Sequence, residues 1–175
     1  MLVTLDEYIA RMPEDQKYIY FVSGENVDII DRMPMVQSVK AKDYEILYLT
    51  DNVDEFALQA LSSYKEKQFK NISQGDLDLA SEEEKKEVEQ KAEENKDLLA
   101  DIKEALKDKV QDVKISTRLV DDPVCMSSDE GMSFEMEKVL SAMPEGNPFG
   151  MKATRILEIN PNHPIFTALQ KVYAK

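Results

Sequence analysis

Two consecutive strand–helix units near the start of the chain limit its fold more than any other feature. In each unit a short aromatic and β-branched run, residues 18–22 and then 46–49, stops at a polar turn and passes into an amphipathic helical pattern. A βαβα order is typical of parallel strands that are covered by helices. The sequence therefore predicts an α/β fold whose first module is a three-layer helix–sheet–helix unit with a short parallel sheet.

Caps and helix breakers divide this first module further. Thr4 is a predicted N-cap, and Pro13 ends the helix that follows it. Residues 71–80 contain Gly75 and show no clear hydrophobic periodicity, which is typical of a boundary between two domains. The predicted elements, in chain order, are helices over 5–12, 27–33 and 35–39, a strand over 44–49, and a helix over 53–61 capped by Asp51 or Asn52.

The chain after residue 80 opens with a charged helix. Ser81 and Glu84 form a capping-box pattern, and apolar residues recur at helical spacing from Val88 to Val110. This pattern predicts a helix of about seven turns. Its charge-rich face is typical of a helix surface in contact with solvent. The functional alternative is that this helix acts as a lever that transmits motion between the two modules.

Two strands and a final helix complete the second module. Residues 113–120 and 154–159 are expected to pair as a small antiparallel sheet against the long helix. Pro164 suits the first position of a closing helix, with Asn162 or His163 as its cap. The predicted domain order is an α/β module over 1–75, a linker over 76–80, and an α+β module over 81–175.

A methionine-rich segment over 128–143 carries the strongest functional signal. On a helical wheel five apolar residues lie within roughly 100° of one another, and Phe134 projects from the opposite face. Thioether side chains are flexible and polarizable, so such a stripe fits apolar partners of many shapes. A helix that is docked on a core has the same pattern. The sequence therefore fits both an exposed helix that binds partners and a docked helix. The stripe consists of Met132, Met136, Val139, Leu140 and Met143.

Several longer runs carry a resemblance to a known family. They are TLDEYIARMP, YIYFVSGE, YEILYLTDNVDEFALQAL, FKNISQGDLDL, KVQDVKISTRLVDDPVCMSSDEGMSFEMEKVL and ILEINPNHPIF, in that order. These runs resemble the heat-shock protein 90 chaperone family, most closely its bacterial members, and they cover nearly the whole chain. Several matches in the family's own order are more specific than any single short motif.

The resemblance implies a piece of a larger protein, spanning the end of the family's middle domain and the start of its C-terminal domain. Nothing in the chain resembles the nucleotide-binding N-terminal domain or the part of the middle domain that holds the catalytic arginine. The family's dimerisation helices would follow Lys175. We therefore expect no enzyme activity and no cofactor in this piece, with ATP and magnesium bound by the N-terminal domain of an ATPase parent.

The same resemblance implies a client-binding role for the methionine-rich segment. In the family the equivalent helix is exposed and contributes to the binding of partly folded client proteins. The matching positions are Met132, Met136, Val139 and Leu140, and the last departs from an aromatic residue found in bacterial relatives. Met143 and Phe134 complete the predicted client-binding set. The parent is expected to be a homodimer, and this piece to be monomeric or weakly associated.

Composition excludes several classes of partner. The formal net charge of −13 argues against nucleic acid, whose phosphates would be repelled. No apolar run approaches the ~20 residues that cross a bilayer, and no signal peptide is evident. The single cysteine suits a reducing compartment. We expect a cytoplasmic protein that contacts neither nucleic acid nor membrane.

Motifs for catalysis and metal binding are missing from the sequence. The five glycines form neither a phosphate-binding loop nor a dinucleotide fingerprint, and no His/Cys cluster has metal-ligand spacing. His163 lies between two prolines, which indicates a turn or cap. Cys125 is expected to be a small core residue, and Asp121 and Asp122 are expected to form a turn.

Two other function classes fit parts of the sequence. A flavodoxin-like enzyme would bind a small molecule in the crevice near Ser23, Gly24, Thr50 and Asp51, at the carboxyl ends of the parallel strands. A passive assembly module would bury the methionine stripe in its own core. The missing glycine-rich phosphate loop weighs against the first alternative.

Overall fold

The computed structural model describes residues 2–144, 146–147 and 150–174, which form helices and two sheets. The α/β fold class is therefore confirmed. The residues group into unit 1, which comprises 1–72 and 134–151, and unit 2, which comprises 73–133 and 152–175. The assignment of 1–75 and 81–175 to two family domains stays a prediction. Within the described ranges, no helix has the length and apolar character needed to cross a membrane.

The elements of the described chain follow one another in a mixed order of helices and strands. They are α1 (Leu5–Arg11), β1 (Ile19–Ser23), α2 (Val27–Asp31), α3 (Pro34–Lys40), β2 (Ile46–Leu49), α4 (Asp54–Leu61), β3 (Ser63–Tyr64), β4 (Lys67–Asn71), α5 (Glu82–Glu94), α6 (Lys96–Ala105), β5 (Asp112–Ile115), β6 (Val124–Ser127), α7 (Phe134–Ser141), β7 (Ile156–Ile159) and α8 (Pro164–Tyr173).

Unit 1 contains a four-stranded sheet in the order β2-β1-β4-β3. Strand β1 is parallel to both neighbours, with Tyr20 opposite Ile46 and Ile19 opposite Phe69. The predicted parallel pairing is thus confirmed. We did not predict β3 and β4, because the polar run Lys67–Asn71 lacks β-branched residues and becomes a strand only through its pairing with β1.

The helix caps of unit 1 agree with the sequence at one helix and differ at another. Thr4 Oγ1 accepts a hydrogen bond from the Glu7 amide at 3.2 Å, and Glu7 Oε2 accepts one from the Thr4 amide at 2.8 Å, which completes a capping box. The predicted cap of α4 by Asp51 or Asn52 is wrong. Its N-cap is Val53, and the Asp54 carboxylate instead accepts from the Asp51 amide at 3.2 Å.

Tyr8 ties α1 to the sheet and to the loop before β2. Its hydroxyl donates to the Glu45 carbonyl at 2.5 Å and accepts from Gln16 Nε2 at 2.9 Å and from the Tyr20 amide at 3.2 Å. Burial raises the pKa of Tyr8 to about 12, so the hydroxyl remains a donor throughout the neutral range. The Tyr8 hydroxyl thus forms hydrogen bonds with three groups of the surrounding structure.

Replacing Tyr8 by Phe should lower the free energy of unfolding by about 1–3 kcal/mol, because buried donors and acceptors lose their partner. Urea unfolding followed by circular dichroism measures this change. The matched control is Tyr44→Phe, which removes a hydroxyl bonded to exposed Asp15 at 2.8 Å and should cost less than about 0.5 kcal/mol. Equal losses in the two variants would contradict this assignment.

Unit 2 begins with two helices where one long helix was expected. The capping box of Ser81 and Glu84 is confirmed, but the helix breaks at Asn95, whose side-chain amide donates to the Lys91 carbonyl at 2.7 Å. This local bond competes with the helical backbone pattern. Side chains from α6, the strands and α8 then form the core of unit 2. Its buried members are Leu98, Leu99, Val110, Val113, Ile115, Ile159 and Phe166.

The sheet of unit 2 has the order β5-β7-β6. The two strands that we predicted, β5 and β7, are parallel, so the expected antiparallel pairing between them is wrong. The antiparallel partner of β7 is β6, which begins one residue after Pro123. This strand is only four residues long, and its sequence, VCMS, shows no clear alternation of apolar and polar residues.

A buried ion pair joins the loop after β5 to β7. Arg118 Nε donates to Glu158 Oε2 at 3.1 Å, and both side chains are at most 2% exposed. Glu158 also accepts from Ser116 Oγ at 2.8 Å and from Ser127 Oγ at 2.6 Å. Arg118 donates in addition to the Gly75 carbonyl. The carboxylate is therefore well solvated by protein groups although it is buried.

Replacing Arg118 by Met should destabilise unit 2 by about 3–5 kcal/mol, because it removes the buried, hydrogen-bonded cation of Glu158 and leaves only the partly exposed Lys114 beside that carboxylate. Lys114→Met is the matched control. Its ammonium lies 3.5 Å from the same carboxylate, but the side chain is 43% exposed, and its loss should cost about 0–1 kcal/mol. Urea midpoints of the two variants measure the difference, and a larger effect at Lys114 would contradict it.

Candidate functional site

Helix α7 carries only part of the predicted methionine stripe. It spans eight residues, Phe134–Ser141, so Met132 precedes the helix and Met143 follows it. The methionine stripe predicts a helix over residues 132–143, so the observed helix is shorter than predicted by two residues at each end. Residues 129–131 before α7 form a turn, since Asp129 accepts hydrogen bonds from the Gly131 amide at 3.0 Å and from Thr154 Oγ1 at 2.7 Å.

The six predicted client-binding residues differ in their exposure. Met132 and Met136 are buried at 8% exposure each, whereas Met143 is 45% exposed. Phe134, Val139 and Leu140 are half-buried. The stripe is thus divided into a covered part at Met136 and an open part that ends at Met143. Its role in client binding stays a prediction.

Met136 and Val139 face a cavity at the carboxyl ends of β1 and β2, which we call the strand-end crevice. Parallel strands end at the same edge of a sheet, so the loops after them lie side by side. The crevice encloses about 20 Å³, which is room for about one water molecule. It is lined by Ser23, Gly24, Leu49, Thr50, Asp51, Asn52, Glu55, Phe56, Glu135, Met136 and Val139.

This crevice is the place where a flavodoxin-like enzyme would bind its ligand. Pockets for small molecules and cofactors have volumes of roughly 300–1,000 Å³. The strand-end crevice, with about 20 Å³, is far smaller. Helix α7 supplies part of its lining, so a helix of the protein itself covers these strand ends.

Polar contacts at Met136 and Lys138 connect α7 to the rest of unit 1. Gln59 Nε2 lies 3.1 Å from Met136 Sδ, and Lys138 Nζ donates to Glu25 Oε1 at 2.5 Å. The Lys138 hydrogen bond lowers the pKa of Glu25 below its usual value, and the same bond raises the pKa of Lys138. The Glu25–Lys138 pair is exposed, so its contribution to stability is small.

Buried oxygens under α7 lack hydrogen-bond partners. Glu55 is 4% exposed, and its Oε1 accepts from Asn71 Nδ2 at 3.0 Å. Within the part of the chain that the structure describes, the other oxygen, Glu55 Oε2, has no partner, and neither does Ser23 Oγ. Sequence reasoning missed this arrangement, because Glu55 lies on a helix whose apolar residues alone predicted its buried face.

A second apolar surface of unit 1 runs along the edge strand β2, and we call it the β2 groove. It is open and has a volume of about 650 Å³. Its large apolar residues Leu2 and Val27 are exposed. An uncovered edge strand with apolar neighbours is a typical site for contact with another chain. The apolar lining consists of Leu2, Val3, Leu5, Val27, Ile46, Leu47, Leu49, Ala57 and Leu58.

The residues considered for catalysis have structural roles. His163 caps α8, where its Nδ1 accepts from the Ile165 amide at 3.2 Å. Cys125 is buried in β6, and burial raises the pKa of its thiol to about 12. Among the residues that the structure describes, no group of three or more His, Cys, Asp or Glu side chains is placed to hold a metal ion.

Cys125 should resist alkylation by iodoacetamide in the folded protein. The thiolate is the nucleophile, and with a pKa of about 12 only roughly one thiol in ten thousand is ionised at pH 8. Mass spectrometry should find the folded chain unmodified after a time that modifies the urea-unfolded chain completely. Rapid modification of the folded protein at pH 8 would show that Cys125 is reactive after all.

Comparison with known proteins gives a match over the whole chain. The family model described as Hsp90 protein matches residues 1–175. Chaperone protein HtpG of Bacillus velezensis is 49% identical over 174 residues, which are 99% of this chain and 28% of the relative. HtpG of Clostridium acetobutylicum is 51% identical over 172 residues (98% and 27%), and HtpG of Clostridium perfringens is 52% identical over 169 (97% and 26%). The chain thus spans between a quarter and a third of these relatives' length.

Proposed function

The chain belongs to the Hsp90 protein family, and on this premise we propose that it supplies client-binding surface to an ATP-dependent molecular chaperone. The clients are partly folded proteins that expose apolar stretches. The chaperone binds such a stretch reversibly by burying it against its own apolar surface. The cytoplasmic location stays a prediction.

The observation that supports this proposal is the open part of the methionine stripe. Leu140 near the end of α7 is half-buried, and Met143, two residues beyond that helix, is 45% exposed. Exposed apolar side chains that lie together are typical of an interaction surface. A thioether adapts its shape to different partners, as a chaperone with many clients requires.

Chemistry with ATP belongs, in this proposal, to parts of the parent protein outside this chain. ATP and magnesium bind to the N-terminal domain of the parent, and this piece binds neither and hydrolyses nothing. The parent is a homodimer, joined through C-terminal helices of the family. Nucleotide binding changes how the two copies of the client surface face each other. The piece itself is monomeric or weakly associated, and it binds neither nucleic acid nor membrane.

The double variant Leu140→Ser, Met143→Ser tests the proposal. Its binding to fluorescently labelled, reduced and carboxymethylated α-lactalbumin, which stays partly folded, should be about tenfold weaker than that of the wild type. This factor corresponds to the loss of about 1–2 kcal/mol of apolar burial. Fluorescence anisotropy measures the affinity, and circular dichroism shows whether the variant is folded.

The matched control is Val172→Ser, which removes a 71% exposed apolar side chain from α8 and should leave the affinity unchanged. Equal weakening by both variants would mean that binding is unspecific. If the double variant binds as tightly as the wild type, the client surface is not on α7, and the β2 groove becomes the next site to test. If the double variant unfolds, the stripe is part of the core and the passive assembly module is favoured.

A further inference from the structure

The docked position of α7 has a regulatory consequence. We infer that α7 is an autoinhibitory latch, which covers Met136 and Val139 in the strand-end crevice and releases them when it undocks. This inference rests on the proposed function, because the released residues extend the client-binding stripe. In the docked state a client reaches exposed Met143 and half-buried Leu140, which do not line the crevice.

Two polar contacts that hold the latch over the crevice, Gln59–Met136 and Glu25–Lys138, are individually weak. The apolar side chains of α7 that line the crevice are Met136, which is 8% exposed, and half-buried Val139. The Glu25–Lys138 pair is 2.5 Å long, but its side chains are 63% and 54% exposed. Exposed ion pairs of this kind contribute little to stability. A thioether sulfur, the acceptor for Gln59, is also a weak hydrogen-bond acceptor.

Two buried oxygens oppose the closed state. Ser23 Oγ and Glu55 Oε2 have no hydrogen-bond partner in the described part of the protein, and both residues line the crevice under α7. A buried polar atom without a partner destabilises the state that buries it, and undocking exposes both atoms to water. Weak attraction and unpaired oxygens together place the docked and undocked states close in free energy.

A closely balanced latch responds to client binding. A ligand shifts an equilibrium between two states by the ratio of its affinities for them. A client that contacts Met136 and Val139 binds only the undocked state, so it stabilises that state. Conversely, any change that favours docking weakens client binding.

The Lys138→Glu variant should favour the undocked state of α7, and it leaves the apolar stripe unchanged. The introduced carboxylate is repelled by Glu25, so the amides of residues 134–141 should exchange hydrogen for deuterium roughly two- to fivefold faster. The affinity for labelled, reduced and carboxymethylated α-lactalbumin should rise by a similar factor. Adding Glu25→Lys restores the attraction and should return both values most of the way to wild type.

Lys86→Glu is the matched control for charge. It makes the same substitution at an exposed position of α5, and it should change neither the exchange of 134–141 nor the affinity for the client. A rise in affinity with both lysine variants would attribute the effect to net charge and overturn the latch.

The Ser23→Ala variant should favour the docked state of α7. It removes one unpaired oxygen, so undocking no longer gains the solvation of that hydroxyl. Exchange of residues 134–141 should slow by about five- to tenfold, and client affinity should fall. Opposite responses of Ser23→Ala and Lys138→Glu are difficult to obtain from a general loss of stability, which would accelerate exchange in both.

The outcomes separate the latch from the proposed function. If neither variant changes exchange in 134–141, or if exchange changes without any change in client affinity, the latch is wrong. If the latch variants behave as described for exchange, but Leu140→Ser, Met143→Ser binds the client like the wild type, the client surface is not on α7 and the latch loses its role. Support requires that exchange and affinity change together in Lys138→Glu, in its Glu25→Lys double variant and in Ser23→Ala.

Discussion

The burial of β1 on both faces is the constraint on which the rest of unit 1 depends. Its first four residues, 19–22, are buried, so every backbone group of this stretch needs a partner within the protein. Strands β2 and β4 supply these partners on the two sides, and Tyr8 supplies a further acceptor for the Tyr20 amide. The helices then cover the apolar side chains that the strands present.

The same constraint creates the candidate site. Because β1 and β2 are parallel, their carboxyl ends meet at one edge, and the chain must turn there. At Gly24 an added Cβ would lie 2.7 Å from Ile30 Cγ1, so a side chain does not fit at this turn. In many α/β proteins a ligand occupies this edge. In this chain a short amphipathic helix covers it, and Ser23 Oγ and Glu55 Oε2 below lack partners within the described residues.

Those features that depend on local patterns could be predicted from the sequence. The N-cap at Thr4, the capping box at Ser81 and the cap of α8 by His163, one of two candidates, follow from residues within one turn of the helix. The family resemblance rested on runs that cover most of the chain, and the whole-chain match agrees with it. The parallel pairing of β1 and β2 followed from strand–helix alternation.

Features that depend on tertiary contacts could not be predicted in this way. Strands β4 and β6 have weak strand patterns of their own and form because β1 and β7 need partners. The break at Asn95 is a competition between one side-chain bond and the helix pattern. The wheel for the methionine stripe showed which residues share a face, but no wheel can show that Met136 is covered and Met143 is not.

Site-specific photo-crosslinking tests whether a client binds at α7. A benzoylphenylalanine replaces Leu140 in one protein and Val172 in another, and each is irradiated with labelled, reduced and carboxymethylated α-lactalbumin. We expect a crosslinked product from position 140 that excess unlabelled client suppresses, and little product from position 172. Equal yields from the two positions, or no product from position 140, would contradict this expectation.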